Sequence, residues 1–325
     1  MPKILVCGGA GYIGSHMARL LHQTGYEVVV LDNLSTGHRQ AVRWGRLVEA
    51  DILSAESLNA VFTGQNYDAV MHFSARSLVA QSVVDPMLYY SNNVGGTIQL
   101  LAAMHRHGIN KIIFSSSAAV YGAPVSTLID ENHPLQPINP YGASKLMAER
   151  MLSDAAMAYG IRSVALRYFN AAGASTDGLI GEAHVCETHL IPNIINAVLH
   201  ETSTLKIFGN DYSTPDGTCI RDYVHVDDLA SAHLLALKFL DNHAGAYQFN
   251  LGNGRGFSVM DVIRAVEKIS GSKLQYEVVP ARQGDPASLI ASSVRAEAFL
   301  GWTPKWKELE AIVESAWRWH KSPRY

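Results

Sequence analysis

Apolar residues recur along the first half of the chain in two alternating rhythms. Short unbroken runs at 4–7, 27–31, 47–50, 69–73, 111–115 and 163–167 have the length and composition of buried strands. Between them the apolar positions take a helical spacing: Ile13, Met17, Leu20 and Leu21 fall at i, i+4, i+7 and i+8, and the segments 97–105 and 146–159 keep the same period. Strands alternating with helices imply a parallel sheet joined by right-handed crossovers, an α/β architecture. The rhythm breaks after Arg167. Proline, glycine and polar residues gather at 171–187 and at 209–217, where Gly209-Asn210-Asp211-Tyr212 and Pro215-Asp216-Gly217 read as turns. Helical spacing returns at 226–240 and a strand-like run at 246–251. A helix is expected to start near Ser258, with Val262, Ile263 and Val266 as its apolar stripe, and the tail at 302–320 ends in an amphipathic helix carrying Trp317 and Trp319.

The first apolar run feeds a glycine-rich turn. Gly8, Gly11 and Gly14 remove the side chains that would stop a pyrophosphate approaching the backbone, or a helix packing on the strand. The following helix then aims its unpaired N–H groups and positive dipole end at whatever lies above the turn. The second run ends in Asp32, eighteen residues beyond Gly14, where a carboxylate can accept both hydroxyls of an adenosine ribose and would repel a 2′-phosphate. Asn33 follows with no arginine immediately beside it, so NAD is favoured over NADP. The expected fold is a Rossmann-type, doubly wound parallel sheet with a smaller, interleaved C-terminal substrate domain. The NAD-binding part takes residues 1–170 with a return segment at about 222–252, and the second domain most of 171–325.

Asn139-Pro140-Tyr141-Gly142-Ala143-Ser144-Lys145 carries the strongest chemical signal. Asn139 is a good N-cap and Pro140 suits the first helical position, which places Tyr141 and Lys145 one turn apart on one face. Met147, Met151, Ala155 and Ala158 form the apolar stripe expected to dock this helix on the sheet. A tyrosine becomes a useful base at neutral pH only when its phenolate is stabilised, and an ammonium one turn away together with an oxidised nicotinamide ring would lower its pKa. Without the nucleotide-binding turn, an ordinary exposed Tyr–Lys pair would explain the same residues equally well. The run Ser115-Ser116-Ser117 ends an apolar strand at the ligand-binding edge of a parallel sheet, so Ser117 can assist Tyr141, or else simply cap the next segment. Phe73-Ser74-Ala75 ends another strand with residues small enough to let a cofactor pass.

Composition narrows the classes. The 325 residues are 48% hydrophobic and 17% charged, with a net charge of −3, which leaves no electrostatic footprint for nucleic acid or an anionic membrane. Met1-Pro2-Lys3 runs straight into the first strand, so no signal peptide is expected, and no apolar stretch approaches a membrane span. Cys7, Cys186 and Cys219 form neither a disulfide framework nor a C-x-x-C site, which makes a reducing cytoplasm the expected location. Fourteen histidines show no H-E-x-x-H spacing. His184 and His189, five apart, could meet a metal, but a loop or surface role is preferred and no metal is expected.

On these residues the chain resembles the extended short-chain dehydrogenase/reductase family, and more narrowly its UDP-glucose 4-epimerase branch. The resemblance runs from Gly8-Gly9-Ala10-Gly11-Tyr12-Ile13-Gly14 through Tyr141 and Lys145 to Leu166-Arg167-Tyr168-Phe169-Asn170. It continues at Ile207-Phe208-Gly209, at Arg221-Asp222-Tyr223 and at Arg282-Gln283-Gly284-Asp285. It implies that Asn170, Leu190, Arg221 and Arg282 hold a uridine diphosphate; a guanidinium fork suits phosphate oxygens, although unaided either arginine would read as a surface ion-pair partner. It further implies that Asp51 and Ile52 flank the adenine and that Tyr168 and Phe169 line the sugar pocket. Tyr12, Ile13, Asn33 and Asn92 are placed with the cofactor, and His189, Lys206, Ile207, Phe208, Tyr223, Asp285 and Leu289 with the substrate. The implied reaction is NAD-dependent inversion at C4 of a UDP-hexose through a 4-keto intermediate, in a homodimer. Two positions depart from the family. Ser77 stands where some members have a lysine near the cofactor, and Leu289, at a wall position thought to sort plain from N-acetylated sugars, is intermediate in size. UDP-N-acetylglucosamine or UDP-pentose epimerisation is therefore an alternative. A 4,6-dehydratase would need an acid and a base where this chain has Ala118-Ala119, and a non-catalytic NAD-binding regulator would not need Tyr141, Lys145 and Ser117 together.

Overall fold

The computed structural model describes residues 1–200, 204–282 and 285–325. Its centre is a seven-stranded sheet in the order Ala246–Leu251, Arg162–Tyr168, Lys111–Ser117, Ala69–His72, Lys3–Cys7, Glu27–Asp32 and Arg46–Glu49, with every neighbouring pair parallel. The apolar runs are unbroken because both faces of these strands are buried. Ile4, Val6, Val28, Val30 and Met71 pack under the helices Tyr12–Gln23 and Val226–Asn242, while Leu5, Cys7, Val29, Leu31 and Val70 face Ala55–Phe62, Gly96–Arg106 and Pro140–Tyr159. Chain order reverses between Lys3–Cys7 and Ala69–His72, and the crevice above such a switch point is where doubly wound sheets bind ligands.

The remaining strands are short. Phe257–Ser258, Ile220–Arg221, Ser288–Ala291 and Leu128–Ile129 make a four-stranded sheet, Asn170–Ala172 pairs with Tyr223–His225, and Leu205–Phe208 pairs with Tyr276–Val279. A separate core lies among the helices Leu190–His200, Val259–Ser270 and Leu309–Lys321. The buried Asp222 carboxylate stitches this half together by accepting from the N–H groups of Asn253 (2.7 Å), Gly254 (3.1 Å) and Ala291 (3.1 Å). Burial pushes its pKa up to about 6 against those three hydrogen bonds.

Local signals explain several boundaries. Asn139 Oδ1 accepts from Gly142 N at 2.8 Å and Pro140 follows as the first helical residue, starting Pro140–Tyr159, which Gly160 ends at φ 69°. Ser258 and Asp261 form a reciprocal capping box at the start of Val259–Ser270. Trp319 is buried in Leu309–Lys321, and Trp317 packs on the neighbouring core.

Other expectations need correction. The strand expected at 111–115 extends to Ser117, because the backbone of Ser116 and Ser117 still pairs with that of Arg167 and Tyr168. A π-helical turn, Tyr90–Gly95, precedes Gly96–Arg106 and was not expected. Most instructive is Pro140–Tyr159. Its buried face is Lys145, Ala148, Glu149, Leu152 and Ala155, while Met147 is 46% exposed and Ala158 is also exposed. Two charged residues on the docking face rotate the stripe away from the one hydrophobicity suggests. Glu149 is tolerated there because Arg167 clamps both its oxygens, Nε to Oε1 at 2.9 Å and Nη2 to Oε2 at 2.6 Å, and Arg167 also donates to Tyr121 at 3.0 Å.

Candidate active site

A cleft of about 1260 Å³ runs along the carboxyl edge of the large sheet and between the two halves. Its cofactor wall is built from backbone. Gly8 sits at φ 79°, and a Cβ there would lie 2.6 Å from Ser74 N. A Cβ on Gly14 would lie 2.2 Å from Gly8 O. The glycines thus bring the turn, the helix Tyr12–Gln23 and the segment Phe73, Ser74, Ala75 to contact distance, and all of them border the cleft. Gly11 caps the helix with no side chain, and no acidic residue occupies its first turn, which leaves the N–H groups and the dipole open to an anion. Tyr12 and Ile13 meet the cleft there, while the Tyr12 hydroxyl turns away to donate to Gly173 O at 2.6 Å.

Asp32 ends its strand at the cleft. Its carboxylate accepts from Ala10 N at 2.9 Å and Leu34 N at 2.8 Å, and burial raises its pKa against those two bonds. Each oxygen keeps a further lone pair for a ribose hydroxyl. Asn33, Ile52 and Asn92 also border the cleft. Asp51 does not: it stands behind Asn33, accepting from Asn33 Nδ2 at 3.1 Å and from Leu53 N at 2.8 Å. A cradle that a Cβ would fill, an open helix N-terminus and a carboxylate at the next strand end are together the donor set that a dinucleotide requires.

The reactive corner forms where the strand Lys111–Ser117 meets the helix Pro140–Tyr159. The Ser117 hydroxyl accepts from Ala119 N at 3.1 Å and borders the cleft beside the Tyr141 phenol, whose pKa it lowers, so Ser117 both caps and joins the site. Lys145 is buried, with Nζ donating to Ser115 O at 2.7 Å and lying 5.8 Å from the centre of the Tyr141 ring. Burial pulls the Lys145 pKa down to about 7, against the charge of Glu149. The expectation that Lys145 lowers the Tyr141 pKa needs correction. Among the protein groups, burial dominates and raises it, and only the neighbouring Ser117 hydroxyl opposes. The Lys145 ammonium is turned to a carbonyl, not to the phenol.

The substrate wall is made of side chains on short strands. Tyr168, Phe169 and Asn170 continue from the sheet into the cleft, and Asn170 Nδ2 donates to Asp222 O at 2.9 Å. Arg221 donates to Asp285 Oδ1 at 2.5 Å and to the carbonyls of Ile220 (2.8 Å) and Pro286 (2.9 Å), which fixes its fork. The Arg282 guanidinium lies 4.0 Å from the centre of the Phe208 ring. Lys206, Ile207 and Tyr223 complete that wall, with His189 and Leu190 at the start of the helix Leu190–His200. Leu289 packs with Phe169 and the buried Val120 and Tyr121. Gln283 and Gly284 of the late motif lie outside the described residues.

Among the cleft residues that escaped the sequence reading, Arg76, Glu182 and Tyr325 carry polar chemistry. Arg76 sits next to Ser77, its N donating to Asn93 Oδ1 at 2.9 Å and its carbonyl accepting from Asn93 Nδ2 at 3.1 Å, so this chain has a cation one position before the lysine site. Glu182 and Tyr325 arrive from the inter-domain loop and the C-terminus, and no local pattern announces either. Ala118 and Ala119 border the cleft beside Ser117, so no acid or base stands at that point.

Residues 4–252 match the model of the NAD dependent epimerase/dehydratase family. The chain is 51% identical over 318 residues to a UDP-glucose 4-epimerase of Halalkalibacterium halodurans, covering 98% of this chain and 95% of that protein. It is similar to the structure of UDP-glucose 4-epimerase from Brucella ovis in complex with NAD, at 48% identity and a TM-score of 0.94, covering 97% of each chain. It is also similar to that of the Bifidobacterium longum enzyme in complex with NAD+ and UDP, at 36% identity and a TM-score of 0.93, covering 99% and 98% of the two chains.

Proposed function

The chain belongs to the NAD dependent epimerase/dehydratase family, and from that premise we infer an isomerase, a UDP-glucose 4-epimerase that uses NAD to interconvert UDP-glucose and UDP-galactose. The observation that carries the reading is that Tyr141, Lys145 and Ser117 share one corner of a cleft whose two ends suit a dinucleotide and a diphosphate. When bound, NAD supplies hydride acceptance and return at C4 and, when oxidised, a positive charge beside the phenol.

The chain's own residues do the rest. Tyr141 takes the proton of the C4 hydroxyl and later returns it, with Ser117 bridging the two oxygens. Lys145 holds the nicotinamide ribose, its orientation set by Ser115 O. Gly8, Gly11 and Gly14 admit the pyrophosphate, Asp32 takes the ribose, and Asn33, Ile52, Asn92 and the Phe73–Ala75 segment line the cofactor's path. Asp51 acts there through Asn33. Arg221 and Arg282 clamp the substrate's diphosphate, with Asn170, His189, Leu190, Lys206, Ile207, Phe208, Tyr223 and Asp285 around the nucleotide. The sugar meets mainly the apolar wall of Phe169 and Leu289, which lets the 4-ketose turn over while its diphosphate stays held. Ala118 and Ala119 provide no acid or base for losing water, which favours epimerisation over dehydration.

Residues 1–170 with 222–252 form the cofactor domain and most of 171–325 the substrate domain. A homodimer is supported by an apolar face at Val83, Val84, Met87, Ile98 and Met147, all more than 45% exposed on neighbouring helices. A cytoplasmic location is supported by three free cysteines. Among the described residues, no helix is long and apolar enough to cross a membrane. Turnover of UDP-galactose to UDP-glucose by the purified protein, with no added nicotinamide, tests the reading; a requirement for stoichiometric NADPH would overturn it.

A further inference from the structure

The loop leading into the helix Leu190–His200 brings together four side chains with metal-ligand chemistry. One donor atom from each of Glu182, His184, Glu187 and His189 lies within 4.8 Å of every other, the one such group among the described residues. His184 Nδ1 is 3.4 Å from Glu182 Oε1 and 3.3 Å from Glu187 Oε2, and His189 Nδ1 is 3.8 Å from Glu187 Oε1 and hydrogen-bonded to Glu182 Oε1. A tetrahedral ion with bonds of about 2.0–2.2 Å sets its donors roughly 3.3–3.6 Å apart, so His184 already stands at the required spacing from both carboxylates, and His189 Nδ1 has only to draw back from Glu182 Oε1 to join it.

The surroundings hold the donors in place. Glu182 is 3% exposed, and its carbonyl accepts from Trp319 Nε1 at 2.7 Å. His38 Nε2 reaches Ala183 O at 2.9 Å, and Tyr325 hydrogen-bonds to Gly181. Glu187 Oε1 accepts from Thr188 N at 2.7 Å and His189 N at 2.8 Å, which orients that carboxylate and leaves Oε2 toward His184. One oxygen, Glu182 Oε1, faces both imidazoles. A dication would engage both carboxylates and both rings at once, and two imidazoles with two carboxylates suit zinc better than magnesium or calcium.

We propose that Glu182, His184, Glu187 and His189 bind a divalent transition metal of the zinc class at the rim of the substrate cleft. The ion ties His189, beside Leu190, to Glu182, whose main chain the C-terminal residues Trp319 and Tyr325 already hold, so it stabilises the substrate wall. This site is separate from the hydride and proton chemistry.

The test uses tag-free, NAD-loaded full-length protein, stripped with a chelator and carrying Cys186→Ser so that the exposed thiol contributes nothing. Calorimetric titration with Zn²⁺ is expected to show saturable binding of one ion per chain and a higher melting temperature, with Mg²⁺ giving neither. Co²⁺ in its place should give the visible absorption of a four-coordinate site. His184→Ala and, separately, Glu187→Gln should weaken Zn²⁺ binding by at least about tenfold. Unchanged NAD content in each variant would show that the protein is folded. Absence of saturable Zn²⁺ binding, or equal binding in a folded His184→Ala or Glu187→Gln protein, would overturn the proposal. Because the readout is metal binding, it stands apart from whether UDP-galactose is turned over.

Discussion

The two walls of the cleft reach complementary ends by different means. The cofactor wall is mostly main chain: a turn, a helix N-terminus and strand ends, brought within contact by glycines that admit no Cβ. The substrate wall is mostly side chain. Arg221 is held by Asp285 and two carbonyls, Arg282 by a ring, and Phe169 and Leu289 by an apolar cluster. A main-chain wall is set by the register of a large sheet and changes little from one sequence to another. A side-chain wall on short strands can be retuned one residue at a time. Tyr141 stands at the seam between them.

The largest effect expected is therefore at the seam. Tyr141→Phe keeps the ring and should retain NAD content and UDP-sugar affinity, while turnover falls by roughly 10²–10⁴-fold. Near-normal epimerase activity in that variant would end the mechanism. Lys145→Met should also lower turnover by loosening the cofactor, and the acidic limb of the pH–rate profile should stay in place, because the Lys145 ammonium is turned to Ser115 O and not to the phenol. A limb moved to higher pH would overturn that reading.

Beneath the cofactor wall, Glu149→Ala leaves Arg167 buried without its counter-charge. Denaturant unfolding should show a loss of about 3–5 kcal/mol. A loss below 1 kcal/mol would mean that Tyr121 and water suffice for Arg167.

A pair of substitutions tests the independence of the walls. Asp32→Ala should weaken NAD binding by about 1–3 kcal/mol and leave the KM for UDP-galactose little changed, and Arg282→Ala should do the reverse, raising KM with NAD content intact. If either variant moved both quantities equally, the walls would be coupled and the contrast drawn here would fail.

The most gradual effect is a slope. His233 is wholly buried between Phe73 and Tyr168, and burial lowers its pKa from 6.5 to about 4 against its bond to Leu229 O. Between about pH 4 and 6.5 the unfolded chain binds the proton that the native one refuses. Native stability should accordingly fall on acidification through that window, by up to about 1.4 kcal/mol per pH unit for this group. Subtracting the unfolding curve of His233→Asn isolates the contribution, and identical slopes for the two proteins would remove it.

The large sheet was legible in the sequence because its signals are local: unbroken apolar runs, glycines at a strand end, and Asn139-Pro140 ahead of Tyr141. The same local chemistry placed Tyr141, Lys145 and Ser117 together. Local pattern failed where burial depends on a distant partner. Nothing near Glu149 announces that Arg167, eighteen residues on, will neutralise it and turn that helix face inward. Nothing near Lys145 reveals that its ammonium points at Ser115 O. Nor does the five-residue spacing of His184 and His189 foretell that Glu182 and Glu187 join them, since that grouping depends on a loop held by Trp319 and Tyr325 from the far end of the chain. The sequence determined the elements and the chemistry they could carry. Tertiary structure decided which charges were buried and which groups they met, because hydrophobic period is a property of neighbours, whereas charge compensation is a property of contacts between residues far apart in the chain.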